Sequence, residues 1–196
     1  MKKFVSIILA LALALGICGA VAESEALPAY TWNGEDPYWA AVINYMEGQY
    51  FGITADEGGV IIPTPILIKV EQNKDETEAT VYGNFWVFAY ARNGKILEMT
   101  AATENPGVMK LEKKDGKWTV VSAEFAGDGE DYMNDIKRFA NGDEALIEEY
   151  LRTTGATEDS YLPQYQRAAV VLYVDGNKLD IEAYQEPGND PVSVTD

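Results

Sequence analysis

Residues 80 to 92, TVYGNFWVFAYAR, are the part of the sequence most informative about the fold class. Apolar residues occupy both the odd-numbered and the even-numbered positions of this stretch. The odd-numbered positions include Val81, Phe85, Val87 and Ala89, and the even-numbered positions include Tyr82, Trp86, Phe88 and Tyr90. Side chains of a strand point alternately to opposite faces, and a strand with one wet face alternates apolar with polar residues. We therefore expect a strand with both faces covered, one by an N-terminal helix and the other by C-terminal helices or a partner.

The residues before this strand predict a helix that packs against the sheet. Asp36 is a suitable N-cap, Pro37 suits the first helical turn, and apolar residues from Trp39 to Tyr50 then recur at spacings of three and four. From residue 60 to residue 126, extended segments alternate with turn signals such as Asn93-Gly94, which predicts an antiparallel meander. Proline at positions 63 and 65 predicts an edge strand or a bulge, because proline cannot donate to a ladder.

The segment after the sheet predicts two helices and a β-hairpin. Apolar spacing marks helices over residues 133–140 and 146–151, the second capped by Asp143. Residues 168–184, with Asp175-Gly176 at the turn, predict the hairpin. The fold prediction is thus α+β: an N-terminal helix on a curved antiparallel meander, then two helices and a C-terminal hairpin. Residues 36–185 form the predicted domain, between an irregular lead-in over 23–35 and a tail over 186–196.

The chain begins MKKFVSIILALALALGICGAVA, the pattern of a secretory signal peptide. Small residues at Ala20 and Ala22 predict cleavage after Ala22 and a secreted or extracytoplasmic protein. Lipid anchoring at Cys18 is the alternative, disfavoured because Ile17 stands where a lipoprotein has a small residue. No later segment is both long and apolar enough for a transmembrane helix, so we expect none.

Composition excludes several chemistries. The chain has 32 acidic and 15 basic residues, a net charge of -17, no histidine, and one cysteine that signal cleavage removes. Ser-His-Asp and Cys-His catalysis and zinc sites with nitrogen and sulfur ligands are therefore excluded, and the charge makes nucleic acid a poor partner. No phosphate-binding loop is present, and the acidic residues 128–135 lack the glycine of a calcium loop at Met133. We expect neither cofactor nor metal.

The element order of residues 36–127 and the segment KLEKKDGKWTVV at 110–121 resemble the nuclear transport factor 2-like and cystatin-like α+β folds. The resemblance implies a concave sheet face that holds a small ligand, and steroid isomerases of this kind perform acid-base chemistry there. It suggests a ligand pocket lined by Tyr82, Trp86, Tyr90 and Trp118. No catalytic residue carries over. The chain departs from these folds in its single early helix, its segment after residue 127, and its lack of the cystatin Gln-x-Val-x-Gly loop.

Three functions stay open. The preferred one is a non-catalytic binding or accessory domain for a small molecule, glycan or protein. The second is a small isomerase-like or hydratase-like enzyme with an Asp or Glu base and tyrosine donors, although Glu98 and Glu124, next to apolar strand residues, are expected on the solvent face. The third is a protein interaction module, which a contiguous exposed apolar patch would favour.

Overall fold

The computed structural model describes residues 26–155 and 157–195, which form an α+β fold. Helix α1 spans Pro37–Gln49 and is followed by a 3₁₀ turn at Tyr50–Gly52. Five strands come next: β1 Val60–Gln72, β2 Glu78–Asn93, β3 Ile96–Thr103, β4 Pro106–Lys114 and β5 Lys117–Phe125. The rest comprises helices α2 Glu130–Phe139, α3 Glu144–Arg152 and α4 Leu162–Asn177, and short strands β6 Ala183–Gln185 and β7 Val192–Ser193. The predicted signal peptide and Cys18 lie outside the described residues.

Strand β2 is the centre of a mixed seven-stranded sheet. Strand β1 pairs antiparallel along one edge of β2, from Val60 opposite Tyr90 to Gln72 opposite Ala79. The other edge of β2 is shared, with β4 along its first half and β3 along its second. Beyond these, β5 pairs with β4, and β6 runs parallel to β3. The order is therefore β5-β4-β2-β3-β6-β7, with β1 beside β2.

Two asparagines join the strands where β2 changes partner. The fully buried Asn84 accepts a hydrogen bond from the backbone N–H of Asn105 (3.1 Å). The Asn105 side chain in turn donates to the carbonyl of Phe85 (3.0 Å). These bonds satisfy polar groups that the gap between β3 and β4 leaves without a ladder partner.

Both faces of β2 are covered, as the sequence predicts. Alternate residues from Ala79 to Val87 pack with the buried α1 residues Ala41, Val42 and Met46. The opposite set packs under the other helices, with Phe88 and Tyr90 against α4 and Tyr82 against α2 and α3. Side chains alternate between the two faces of a strand, so successive residues of β2 pack into different cores.

Strand β1 is an edge strand with a bulge, which confirms the prediction from its prolines. It pairs with β2 alone among the described strands, and its register shifts between Leu67 and Lys69. Pro63 and Pro65 have the same parity, so the sites without an N–H face the same, unpaired side of the strand. Next to the bulge, a Cβ on Gly83 would lie 2.5 Å from the carbonyl oxygen of Ile66, so the close strand approach requires glycine.

The hairpin predicted over residues 168–184 is wrong, since residues 168–177 belong to helix α4 and a strand begins only at Ala183. Pro163 opens this helix, and its buried side chains recur at helical spacing from Leu162 to Val174. The predicted turn residues Asp175-Gly176 lie in the last turn of the helix, which ends at Asn177, and Lys178 caps it in the left-handed conformation with φ 53°. Packing on β1 overrides the β-propensity of the valines. The C-terminal strand pair is instead β6 with β7, so the predicted tail contains a short strand.

No helix within residues 26–155 and 157–195 combines the length and apolarity that a membrane span needs.

Candidate functional site

Two of the predicted site residues on β2, Trp86 and Tyr90, pack beneath the C-terminal helices. Tyr90 is fully buried, and its hydroxyl accepts a hydrogen bond from Nε2 of Gln166 on α4 (3.1 Å). Trp86 stacks on Phe88 with 1° between the ring planes, and its Nε1 donates to the carbonyl of Thr153 (2.9 Å). Helix α4 and the end of α3 thus fill the space next to these two rings.

The other two predicted residues lie apart from this pair. The Tyr82 hydroxyl donates to Glu71 Oε2 (3.1 Å), and its ring packs at the cluster formed by α2 and α3. Trp118 lies on the opposite face of the sheet, beside Tyr38 at 5.2 Å between ring centroids. The structure therefore does not bring the four residues into one recess, and ligand binding by them stays a prediction.

A different set of aromatic side chains lines a surface groove. Two adjoining recesses, of about 210 Å³ and about 230 Å³, share Tyr30, Trp32 and Leu172. The first also contains Trp39 and Tyr165, and it lies over the proline-bearing part of β1. We call the two recesses together the aromatic groove. It is formed where the lead-in, the first turn of α1 and helix α4 meet over the free edge of β1.

Ring stacking organises the aromatic groove. Trp32 stacks on Trp39 with 5.5 Å between centroids and 18° between planes. Trp39 stacks on Tyr165 of α4 at 6.2 Å and 8°. Tyr30 stacks on Tyr173 at 6.5 Å and 22°. Three nearly parallel rings from three parts of the chain thus make a continuous apolar wall, in which each ring restricts its neighbour.

Hydrogen bonds hold the lead-in against the rest of the fold. The backbone N–H of Leu27 donates to the carbonyl of Gly58 (2.9 Å), and the Tyr173 hydroxyl donates to the carbonyl of Pro28 (2.7 Å). At the other end of the lead-in, Asp36 accepts from the backbone N–H groups of Tyr38 and Trp39, both at 2.9 Å. The segment that carries Tyr30 and Trp32 is therefore anchored on both sides, although it has no helix or strand.

The charged groups that line the aromatic groove are carboxylates. Asp36 lines the first recess and Asp175 the second, and no lysine or arginine is among their described lining residues. Burial raises the pKa of Tyr30 to about 12, and the nearby charge of Glu47 adds to this rise. The groove is thus an apolar surface with a negative rim.

One polar atom of the groove has no partner. Nε1 of Trp32 is buried and donates no hydrogen bond to any part of the chain that the structure describes. Buried donors are nearly always paired in native proteins, so an unpaired one marks a place with a structural or functional reason for it.

A second candidate site is a carboxyl beside a tyrosine. The Tyr132 hydroxyl donates to Oε1 of Glu104 at 3.2 Å. Burial raises the pKa of Glu104 above its ordinary value, and burial together with the Glu104 charge raises that of Tyr132. The pair lies where the chain passes from β3 to β4, away from the aromatic groove. Within the described ranges, no cluster of three or more metal-ligating side chains occurs.

The sequence pattern does not predict the aromatic groove, because the groove residues belong to segments without a clear period. Tyr30 and Trp32 belong to the irregular lead-in, and Tyr165 belongs to a helix that was predicted as a strand from residue 168 onward. Trp39 was assigned to the stripe that covers the sheet, but it contacts Trp32 and Tyr165 instead. The available signal was compositional: two tryptophans and two tyrosines fall within residues 30–39.

Comparisons with known proteins provide no family for this chain. No protein-family model matches it, and no curated protein matches it. A search of solved structures found the intermembrane space region of the chloroplast protein ARC6, at 12% sequence identity and a TM-score of 0.25. That match covers 46% of this chain and 68% of the other.

Proposed function

We propose that this chain is a non-catalytic binding domain that acts outside the cytoplasm and takes its ligand in the aromatic groove. The extracytoplasmic part of the proposal rests on the signal-like N-terminus. The proposal also includes the nuclear transport factor 2-like or cystatin-like relationship, which rests on the order of one helix followed by a run of antiparallel strands.

The aromatic groove supports this role better than the β2 face does. Ligand sites are concave, mostly apolar and lined by a few placed polar groups, and the groove has each of these properties. Its rings are held by stacking and its lead-in by hydrogen bonds, so the surface exists before a ligand arrives. A preformed site avoids the entropy of ordering side chains on binding. With a net charge of -17, the protein repels anions, so the expected ligands are neutral or cationic.

The four tryptophans provide a test that separates the groove from the residues predicted on the sheet. Trp32 and Trp39 line the groove, whereas Trp86 packs against one core and Trp118 is buried in the other. Their indole N–H groups give four separate signals in ¹H–¹⁵N NMR spectra. The panel of probes consists of neutral sugars, alkylammonium salts and aromatic amino acid amides.

We expect saturable shifts at Trp32 and Trp39 with at least one class of probe, and unchanged signals from Trp86 and Trp118. A Trp32→Leu variant that keeps the native spectrum elsewhere is expected to lose the response. Saturable shifts at Trp86 or Trp118 alone would show that the ligand binds beside the sheet residues and not in the aromatic groove. Absence of any saturable response across the panel would overturn the proposal.

One observation favours acid-base catalysis as a second candidate function. A carboxyl with a raised pKa within hydrogen-bond distance of a tyrosine hydroxyl is the arrangement expected of an enzyme with a Glu base and a tyrosine donor. Glu104 and Tyr132 have that arrangement. They do not line either recess of the groove, so this candidate ranks second. Solvent-hydrogen exchange of a ketosteroid probe by the protein, abolished in Glu104→Gln, would support it.

A further inference from the structure

We propose that the aromatic groove binds an organic cation, a small quaternary or tertiary alkylammonium group, with the charged nitrogen in the recess at the end of α4. This inference rests on the proposed function and specifies its ligand class.

The charges around the second recess favour a cation. Asp175 and Gly176 line it, and both belong to the last turn of α4. The C-terminal end of a helix carries a partial negative charge, which adds to the carboxylate of Asp175. Lys178 caps this helix end, but it is not among the described residues that line the recess. An ammonium group placed there meets two sources of negative potential.

The aromatic side chains supply the rest of the recognition. The part-exposed Tyr30 and Trp32 line the recess beside Asp175, and the buried Tyr173 supports Tyr30 through ring stacking. Tyrosine and tryptophan faces attract a cation through the ring quadrupole, and alkyl groups on the nitrogen bury apolar surface against the same rings. A strongly hydrated ammonium or metal ion lacks that apolar contact. The combination of rings and carboxylate therefore selects alkylated nitrogen over lysine-like or inorganic cations.

The size of the recess limits the ligand to a small one. Its volume of about 230 Å³ is below the roughly 300 Å³ at which sites for drug-sized ligands begin. The first recess adjoins the second at Leu172, whose side chain is 61% exposed, and extends from there toward Trp39. A trimethylammonium group with a short tail fits this shape, with the tail lying over Leu172.

Choline and its uncharged isostere 3,3-dimethylbutan-1-ol form the decisive pair of probes, because a carbon atom replaces the nitrogen and the shape is kept. Each is titrated into the full folded protein at constant ionic strength, with sodium chloride as the salt control. The readouts are calorimetry and the indole N–H signals of Trp32 and Trp39. We expect choline to bind about tenfold more tightly than the isostere, which equals about 1.4 kcal/mol.

Two carboxylate variants test the position of the charge. Asp175→Asn is expected to weaken choline binding about fivefold and to leave binding of the isostere unchanged. Asp128→Asn removes the same charge from an exposed loop residue outside both recesses and is expected to change neither. Unchanged circular dichroism of both variants excludes unfolding as the cause.

The outcomes separate this inference from the proposed function. Equal affinity for choline and the isostere, with shifts at Trp32 and Trp39, would overturn the cation inference and keep the groove as a binding site. No response to either probe would also overturn it, while a response to another class in the NMR panel would keep the proposed function. Equal weakening by Asp175→Asn and Asp128→Asn would show a general charge effect and would overturn the placement of the cation at α4.

Discussion

The indole ring of Trp39 lies parallel to the phenol ring of Tyr165, with 6.2 Å between the centroids and 8° between the planes. Trp39 belongs to the first turn of α1 and Tyr165 to α4, two helices that pack on opposite faces of the sheet. Their rings meet over the free edge of β1. Edge strands expose unpaired backbone groups, and folds often cover them with side chains or blunt them with proline. This protein does both at the same place, and the covering side chains form the aromatic groove.

Replacement of Trp39 by alanine is expected to destabilise the fold moderately. The ring stacks on two others but is part-exposed, so we expect a loss of about 2 kcal/mol, below the roughly 3–5 kcal/mol of a fully buried tryptophan. Urea unfolding followed by circular dichroism measures the loss. Trp39→Phe keeps one stacked ring and is expected to lose less than half as much. A loss below about 0.5 kcal/mol in the alanine variant would contradict the stacked arrangement.

The buried hydrogen bond between Gln166 and Tyr90 is expected to show strong coupling. Gln166→Leu leaves the Tyr90 hydroxyl without its partner in the core, which costs about 1–3 kcal/mol. Tyr90→Phe alone leaves the Gln166 amide nitrogen with only the sulfur of Met99 as acceptor, at 3.9 Å, and is also expected to destabilise the fold. The double variant removes both groups and is expected to be less destabilised than the sum of the two single variants. Additive unfolding free energies in this double-mutant cycle would exclude the bond.

Gly107 is expected to tolerate no side chain. A Cβ atom there would lie 2.2 Å from the carbonyl oxygen of Glu124 on β5, and a hydrogen bond from Tyr150 fixes the Gly107 carbonyl (2.7 Å). Separating the strands costs about 1–3 kcal/mol or more, so Gly107→Ala lowers the urea midpoint. The control is Gly48→Ala in α1, where a Cβ meets no atom within 4 Å. That variant is expected to gain about 0.5–1 kcal/mol from helix propensity, and a loss in both variants would contradict the argument.

The carboxyl of Glu104 is expected to make stability depend on acidic pH. Burial raises its pKa in the folded protein, so the folded state binds the proton more tightly than the unfolded chain does. This contribution is fully present below the unfolded pKa of about 4.5 and is lost as pH rises through the folded pKa. Glutamine does not ionise. The unfolding free energy of Glu104→Gln relative to the original protein is therefore expected to rise as pH increases above about 4.5.

The hydrogen bond from Tyr132 partly opposes this rise in the pKa of Glu104. Tyr132→Phe is therefore expected to raise the pKa of Glu104 further, as measured by NMR titration of the side-chain carboxyl carbon. A stability difference between Glu104→Gln and the original protein that stays flat from pH 4 to pH 7 would show that Glu104 is solvated.

Local chemistry determined much of the fold. Asp36 caps α1 and Asp143 caps α3, both through hydrogen bonds to the backbone N–H groups that follow them. Prolines 63 and 65 marked β1 as an edge strand, and the two apolar faces of β2 required a layer on each side. In each case a residue or its near neighbours supply the deciding interaction, so the sequence pattern is sufficient.

The position of α4 and the pairing of the aromatic rings depend on packing between distant parts of the chain. Residues 168–174 are rich in β-branched side chains, yet they are helical because one face of the helix buries Val170, Tyr173 and Val174 against β1 and its neighbours. The same packing brings Tyr165 to Trp39, 126 positions apart in the chain, and leaves Tyr82 and Trp118 on different faces of the sheet. The sequence pattern thus determined the layers, whereas long-range burial selected the groove, because contacts between distant segments depend on the packing of the whole chain.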